Sequence, residues 1–259
     1  KLCDYTGNNP RQQSSFGQEL AVQWYQWILA RLEENTPYDE LVAGIVLATG
    51  RDENTSYVDY ARDMSAHFRI ENRADFSKRE TMPHYWARRT LEEADDRALA
   101  FAHSFLGVQL QCAQCHKHPF DQWSKADFAE FTKFFEPIEF GVAPDGMKDH
   151  QQLAKASNGR MQGGMMMRMG VDMLGRAEDG ETGPWREVYL RRSGTKGKQA
   201  SLLGYRKIDF DDQSDPRQPL MDGMREPGNP YFARAFVNRV WANYFGVGII
   251  DPPDDLNRA

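Results

Sequence analysis

The sequence predicts a mainly α-helical protein with long loops and a small β-hairpin element. Apolar residues recur at helical spacing in several separate segments, and most of these segments follow a residue that caps helices well. Only two short stretches, Glu187–Leu190 and Leu202–Phe210, resemble strands, and they flank a turn-forming sequence at 194–197. With 259 residues, of which 40% are hydrophobic, the chain is long enough to bury a substantial core.

The first predicted helix follows Ser14 and Ser15, because serine is a favourable N-cap. Its apolar residues are spaced three and four apart, so they lie on one face of the helix. The sequence Asn35-Thr36-Pro37 ends this helix, since proline cannot continue it. The predicted inward face consists of Phe16, Leu20, Trp24, Trp27 and Ile28.

The second predicted helix begins where the first one ends. Thr36 is a suitable N-cap, Pro37 suits the first helical position, and Asp39 lies where a capping-box acid is expected. The helix is expected to continue to Gly50, because glycine is a common C-terminal stop. The polar stretch that follows predicts long loops and one short helix, Val58–Ala66.

Two further helices are predicted on either side of a cysteine motif. One covers Leu91–Gln111, carries an apolar stripe and leads directly into Cys112. The other is opened by Ser124, with Asp127 at the capping-box position, and is closed by Pro137. The motif is therefore expected to lie in a hinge between two amphipathic helices.

The pattern divides the chain into three regions. Residues 1–140 form a helical domain that carries the cysteine motif, 141–215 form an irregular insert with the hairpin, and 216–259 begin a second helical domain. The insert contains the Met-rich and Gly-rich run Met161–Met173, which has no clean period and predicts a loop. The last region contains a helix from Pro230 to Gly246.

Charge and hydropathy exclude two classes of partner. The 32 basic residues are outnumbered by 38 acidic ones, and the net charge of -6 argues against nucleic acid as the main partner. No stretch approaches the length of apolar sequence that a membrane span requires. Because Lys1 is not a natural start, we expect the chain to be a piece of a longer protein.

The most informative motif is a Cys-x-x-Cys-His sequence. Residues 112–116 are CAQCH and residues 117–121 are KHPFD. Cys-x-x-Cys-His is the attachment signature of a c-type haem: the two thiols bond to the porphyrin edge, and the histidine is an axial iron ligand. The motif therefore assigns Cys112, Cys115 and His116 to haem binding, and it leaves Cys3 as the remaining cysteine.

Two other interpretations of the motif remain open. His116 and His118, together with the two cysteines, would complete a Cys₂His₂ zinc or iron set by number, although four ligands within seven residues are unusually close. Asp121 could orient either imidazole or cap the turn that follows Pro119. The predicted metal-site residues are thus His116, His118 and Asp121. Alternatively, Cys112 and Cys115 form a disulfide.

The sequence also contains candidates for a distal haem ligand and for the lining of a haem pocket. Methionines of the Met161–Met173 run could supply a distal ligand, but a flexible loop explains them better. Histidines elsewhere in the chain are more typical of surface or hydrogen-bonded positions: His67, His84, His103 and His150. Several aromatic residues are of the type that lines a haem, although core packing explains any single one of them better: Phe105, Phe120, Trp123, Phe128 and Phe131.

One polar group on the last predicted helix has two interpretations. Arg234, Asn238 and Arg239 could bind an anionic ligand, or they could form polar links to the acidic tail at 251–255. No nucleophile elbow, phosphate loop or dinucleotide fingerprint is present. The sequence therefore names no catalytic residue and leaves open whether the protein is an enzyme.

Three stretches carry a family resemblance: residues 105–121 (FLGVQLQCAQCHKHPFD), 37–42 (PYDELV) and 229–241 (NPYFARAFVNRVW). The first two resemble a planctomycete-type family of uncharacterised domains that commonly lie beside cytochrome-c-like modules in long secreted proteins. The third resembles the start of the domain that usually follows. The resemblance implies an exported, multidomain setting and a redox association, but it implies no particular activity.

The expected function is that of an exported c-type haem protein in electron transfer or haem-based redox chemistry. Haem c is generally assembled outside the cytoplasm, so a periplasmic or extracytoplasmic location is expected, with a redox protein or an adjacent cytochrome module as partner. The alternatives are a non-haem zinc or iron module of an extracellular polymer-binding or hydrolytic protein, and a disulfide-stabilised structural domain.

Overall fold

Ten α-helices and two small sheets form the part of the chain that the computed structural model describes, namely residues 1–12, 14–115, 123–158, 169–191, 198–210 and 215–256. The predicted fold class, mainly α with long loops, is confirmed. Within these ranges, none of the helices combines the length and the apolarity that crossing a bilayer requires.

Helices dominate both ends of the chain, and the described strands lie between residues 138 and 210. The helices are α1 (Leu2–Tyr5), α2 (Ser15–Glu33), α3 (Tyr38–Val46), α4 (Tyr57–Ala66), α5 (Ala94–Phe101), α6 (Lys125–Thr132), α7 (Met147–Asn158), α8 (Met169–Glu178), α9 (Arg217–Arg225) and α10 (Phe232–Phe245). The strands are β1 (Ile138–Gly141), β2 (Glu187–Leu190), β3 (Lys198–Ser201) and β4 (Lys207–Phe210).

Several helix starts are where side-chain capping predicts them. The Ser14 hydroxyl accepts a hydrogen bond from Gly17 N at 3.1 Å and caps α2. Ser124 and Asp127 form a complete capping box at the start of α6. The Asn229 side chain accepts hydrogen bonds from two amides at the start of α10. These bonds satisfy amides that a helix start otherwise leaves unpaired.

The second predicted helix exists, but both of its predicted ends were wrong. α3 has Pro37 as its N-cap, so Thr36 lies outside the helix, and no side chain caps it. The Asp39 carboxylate accepts a hydrogen bond from Arg225 Nε at 2.9 Å and does not close a capping box. The helix ends at Val46, four residues before Gly50.

The third predicted helix was wrong at its C-terminal end. α5 continues into a π-helical segment, Ala102–Leu106, which ends at Gly107 with a φ of 63°. Cys112 lies in a separate 3-10 turn, Gln111–Gln114. The reason is local, because a left-handed glycine breaks the helical hydrogen-bond series. The motif therefore follows a glycine and a short non-helical link, not a helix end.

The predicted strand Glu187–Leu190 exists, but of the predicted strand Leu202–Phe210 only Lys207–Phe210 is a strand, and the two do not pair with each other around residues 194–197. β2 pairs with β1 in antiparallel register, with Phe140 opposite Val188. β3 pairs with β4 across the short turn at 202–206, in which Gly204 has a φ of 71°. The predicted turn at 194–197 lies outside the described residues. β1, the partner of β2, lies about fifty residues earlier in the sequence, so a local sequence pattern does not reveal this pairing.

The Met-rich run is partly helical. Its last residues, from Met169 onward, belong to α8, so the prediction of a loop was wrong for this part. Residues 159–168 lie outside the described part of the chain, and they include Met161, Met165, Met166 and Met167.

One continuous core draws on residues from all three predicted regions. Aromatic side chains dominate its centre, where Phe101, Phe105 and Phe131 are completely buried. The segment 216–259 adds Leu220 and Phe232, which are also buried. Burying each such side chain contributes about 1.5–3 kcal/mol relative to leaving it exposed. The C-terminal segment is therefore packed into the same core as the helices around the cysteine motif.

A buried arginine explains where α3 ends. Arg217 is completely buried and donates from Nη1 to the carbonyl oxygens of Val46 and Ala48, at 3.0 and 2.9 Å. Its Nη2 donates to Leu47 O at 3.3 Å and pairs with Asp215 at 2.7 Å. A cation is favourable at this end of a helix, because the unpaired carbonyls carry partial negative charge.

Replacing Arg217 with glutamine should lower the free energy of unfolding by about 3–5 kcal/mol, because the α3 carbonyls and Asp215 lose a buried partner. The matched control is Arg225→Gln. Like Arg217, Arg225 lies on α9 and connects it to α3, where it pairs with Asp39, but its side chain is partly exposed. The control should cost about 0.2–1 kcal/mol. Urea unfolding measures both, and equal losses would show that the Arg217 cluster has no special role.

Candidate functional site

The two motif cysteines lie on one short turn. We call residues 111–115 the cysteine turn; its 3-10 segment is Gln111–Gln114, and Cys115 N donates to Cys112 O at 3.4 Å. A 3-10 helix has three residues per turn, so positions three apart lie one above the other. Cys112 and Cys115 therefore share one side of the turn.

The cysteine turn is anchored by its apolar residues and presents its thiols outward. Leu110 and Ala113 are buried in the core, and the turn packs against α6. Cys112 is half-buried and Cys115 is exposed. Both thiols, and that of Cys3, are free, so the structure contains no Cys112–Cys115 disulfide. An anchored backbone with accessible sulfurs suits covalent attachment or metal ligation, since in both cases the incoming group must reach the sulfur atoms.

The remaining predicted site residues lie outside the described part of the chain. His116, His118 and Asp121 belong to 116–122, as does Phe120. Among the described residues, no group of three or more histidine, cysteine, aspartate or glutamate side chains is arranged to hold a metal ion. The haem and metal assignments of these three residues therefore stay predictions.

The chain is anchored again immediately after the motif. Trp123 is 3% exposed and its ring lies 5.9 Å from that of Tyr231. Leu110 and Ala113 are held in the core on one side of 116–122, and Trp123 is held on the other. The described residues on both sides of 116–122 are thus packed into the core.

Four of the predicted haem-lining aromatics are part of the protein core. Phe105 and Phe131 are completely buried, and their rings lie 5.2 and 6.1 Å from that of Phe101. Phe128 and Trp123 are each 3% exposed. The protein itself encloses these rings, so ordinary core packing accounts for them.

Gly107 connects the π-helical segment to the cysteine turn and is clamped by the C-terminal tail. Its carbonyl accepts a hydrogen bond from Leu256 N at 2.9 Å. A methyl group at Gly107 would lie 3.1 Å from Ala235 Cβ and 3.3 Å from Leu256 Cγ. This contact was not predicted from the sequence. The available signal was a glycine after an apolar helical run, a common C-terminal stop.

Arg239 binds the helix end that precedes Gly107. Its Nη1 and Nη2 donate to the carbonyls of Ser104 and His103, and its Nε pairs with Asp254 at 2.6 Å. Asn238 Nδ2 donates to Ile250 O at 2.8 Å. Asn238 and Arg239 therefore form polar links to the C-terminal tail, which is one of the two interpretations that the sequence left open.

Two histidines that could have been ligands are buried and hydrogen-bonded. His84 Nε2 lies 3.0 Å from Gln23 Oε1, and the imidazole stacks on Phe76. His67 Nδ1 lies 3.1 Å from Ala74 O. Burial, with smaller contributions from Arg79 and His67, lowers the pKa of His84 from 6.5 to about 3. Both imidazoles are thus engaged by hydrogen bonds within the fold.

Family comparisons place the chain among families typical of planctomycete proteins. The model of PSCyt2, described as a protein of unknown function (DUF1549), matches residues 1–140, and the chain belongs to this family. The model of PSD1, described as a protein of unknown function (DUF1553), matches residues 216–259. No curated protein and no solved structure shows significant similarity to the chain.

The burial of His84 predicts a pH-dependent stability. Its pKa is about 3 in the folded protein and 6.5 when unperturbed. Between these values the unfolded state binds the extra proton, so the free energy of unfolding should fall as the pH decreases through this window. Urea unfolding of wild type and His84→Gln at about pH 7 and about pH 5 measures the slope.

The glutamine variant should have a shallower slope than wild type, because glutamine does not titrate. The control is His150→Gln, at a histidine that is only partly buried, and it should keep most of the slope. If His84→Gln and wild type lose stability equally on acidification, His84 is not the group responsible.

Gly107→Ala should destabilise the fold more than Gly246→Ala. Both glycines have positive φ, 63° and 80°, where a side chain costs about 1–2 kcal/mol. Only the Gly107 variant also crowds Ala235 and Leu256, because Gly246 has nothing within 4 Å of the added methyl. Thermal or urea unfolding compares the pair, and a smaller loss for Gly107→Ala would contradict the clamp.

Proposed function

We propose that this protein binds a c-type haem covalently through Cys112 and Cys115, with His116 as an axial iron ligand, and acts in electron transfer or haem-based redox chemistry. The observation that carries the proposal is the placement of two free thiols on one side of a single anchored turn, followed at once by a histidine in the sequence.

The residues of the turn fit the attachment chemistry. Each thiol adds across one vinyl group of the porphyrin, so that a carbon–sulfur bond forms and the thiol proton is transferred to the other vinyl carbon. This addition needs sulfurs that the porphyrin edge can reach, and Cys112 and Cys115 are half-buried and exposed, respectively. When bound, the haem iron would supply one-electron redox chemistry.

The other residues of the motif have supporting roles in this proposal. Leu110 and Ala113 hold the turn in the core, which limits the movement of both sulfurs. His118 and Asp121 would tune the site, and the distal ligand is not assigned. Because haem c is assembled outside the cytoplasm, the proposed location is periplasmic or extracytoplasmic, and the proposed partner is a redox protein or a neighbouring cytochrome module.

The same thiols support a second candidate, a zinc or iron site. Thiolates on one side of a short turn suit a soft metal, and His116 and His118, with Asp121 as an orienting group, would complete the site. This candidate predicts a colourless zinc protein or an iron protein without porphyrin. A disulfide would leave neither metal nor colour.

The decisive experiment is expression with export in a host that matures c-type haem, followed by intact mass and a pyridine haemochrome spectrum. The proposal expects a mass increase of one haem and the spectrum of a thioether-linked haem. Cys112→Ser and Cys115→Ser should each impair covalent attachment, and the double variant should abolish it. The matched control is Cys3→Ser, because Cys3 lies outside the motif, and it should be loaded like wild type.

Three outcomes would overturn the haem assignment. A colourless protein with stoichiometric zinc or iron by elemental analysis would favour the metal site. A mass lower by two hydrogens would favour the disulfide. A full-length exported protein with free thiols and no bound group would contradict both cofactor assignments.

A further inference from the structure

The C-terminal segment contacts the chain immediately before the cysteine turn. Arg239, on α10, donates to the His103 and Ser104 carbonyls of the π-helical segment, and Leu256, in the tail, donates its amide N–H to the Gly107 carbonyl. We infer that α10 and the tail at 250–256 form a positioning element for the cysteine turn. This inference rests on the proposed function, since it concerns the same two thiols.

The positioning element is internally rigid. Asn238 donates to Ile250 O and to Pro253 O, at 2.8 and 3.1 Å, and its Oδ1 accepts from Ile250 N at 2.9 Å. The Asp254 carboxylate pairs with Arg239. Three hydrogen bonds of one amide side chain and one partly buried ion pair therefore hold the tail against the helix. The tail and α10 contact Gly107 as one unit.

The link from the contact to the thiols is short, and it is buried on both sides of the exposed residue Gln109. Val108 N donates to Ala102 O at 3.2 Å, and Val108 and Leu110 are almost completely buried. Gly107 and Cys112 are thus joined by four residues, of which Val108 and Leu110 are packed in the core. Because these two residues hold the link on either side of the exposed Gln109, a shift of Gly107 is passed on to the cysteine turn.

A second buried arginine shows how this role differs from simple stabilisation. Arg217 also comes from the C-terminal segment and also binds helix-end carbonyls, but those carbonyls belong to α3. Loss of Arg217 should therefore weaken the fold as a whole. Loss of Arg239 should in addition release the residues next to the thiols.

The experiment uses haem-free protein that carries Cys3→Ser, so that only Cys112 and Cys115 can be alkylated. Alkylation with iodoacetamide under native conditions is followed by mass spectrometry for Arg239→Gln and Arg217→Gln, and global stability is measured by urea unfolding. The surface control is Arg234→Gln, because Arg234 is exposed on the same helix.

Arg239→Gln should accelerate alkylation of the half-buried Cys112 by about tenfold, the effect of losing a charge-assisted hydrogen bond that opposes local opening. It should also increase hydrogen exchange of the amides at 108–111. Arg217→Gln should lower global stability without this local acceleration, and Arg234→Gln should match wild type. Arg239→Lys, which keeps the charge but not the forked geometry, should rescue partially.

If Arg239→Gln does not fold, Leu256→Ala replaces it, because this variant removes the side chain beside Gly107 and leaves the backbone hydrogen bond. The inference is overturned if Cys112 reacts at the wild-type rate in the folded variant. It is equally overturned if Arg217→Gln and Arg239→Gln accelerate alkylation in proportion to their global destabilisation. Because no haem is involved, these outcomes are separate from failure of haem attachment.

Discussion

Two buried arginines at helix ends are the interaction on which the arrangement of this molecule depends. Arg217 binds carbonyls at the end of α3 and just after it, and Arg239 binds the His103 and Ser104 carbonyls of the π-helical segment. A guanidinium has five donors in a rigid fork, so it can satisfy several carbonyls and a carboxylate at once. Asp215 and Asp254 supply those carboxylates. Both arginines come from the segment that matches PSD1, and both bind helices in the segment that matches PSCyt2.

This arrangement connects packing to the candidate site. The end of the π-helical segment sets the position of Gly107, and Gly107 begins the buried link to the cysteine turn. The turn itself is held by Ala113 in the core, while its sulfurs remain accessible. A site that binds a large group needs an anchored backbone and accessible ligand atoms, because the group has to reach the ligands and the ligands must keep their positions.

The sequence predicted features whose causes are local. Ser14 and the Ser124–Asp127 capping box mark helix starts because their side chains bond to amides two or three residues away. The Gly246 stop of α10 was predicted for the same reason, and it has a φ of 80°. The cysteine pair and its spacing were also evident from the sequence. His116, His118 and Asp121 stay predictions, since the structure does not describe them.

The sequence by itself determined the mainly helical class, the starts of several helices, the family and the pair of thiols, because short-range spacing and capping decide these features. Only the tertiary structure decided that α3 ends at Val46, that β2 pairs with β1, and that Arg239 clamps the approach to Cys112. Each of these depends on a partner tens to more than a hundred residues away in sequence. Such a partner is selected by packing and by the need to satisfy buried carbonyls, and no local pattern records it.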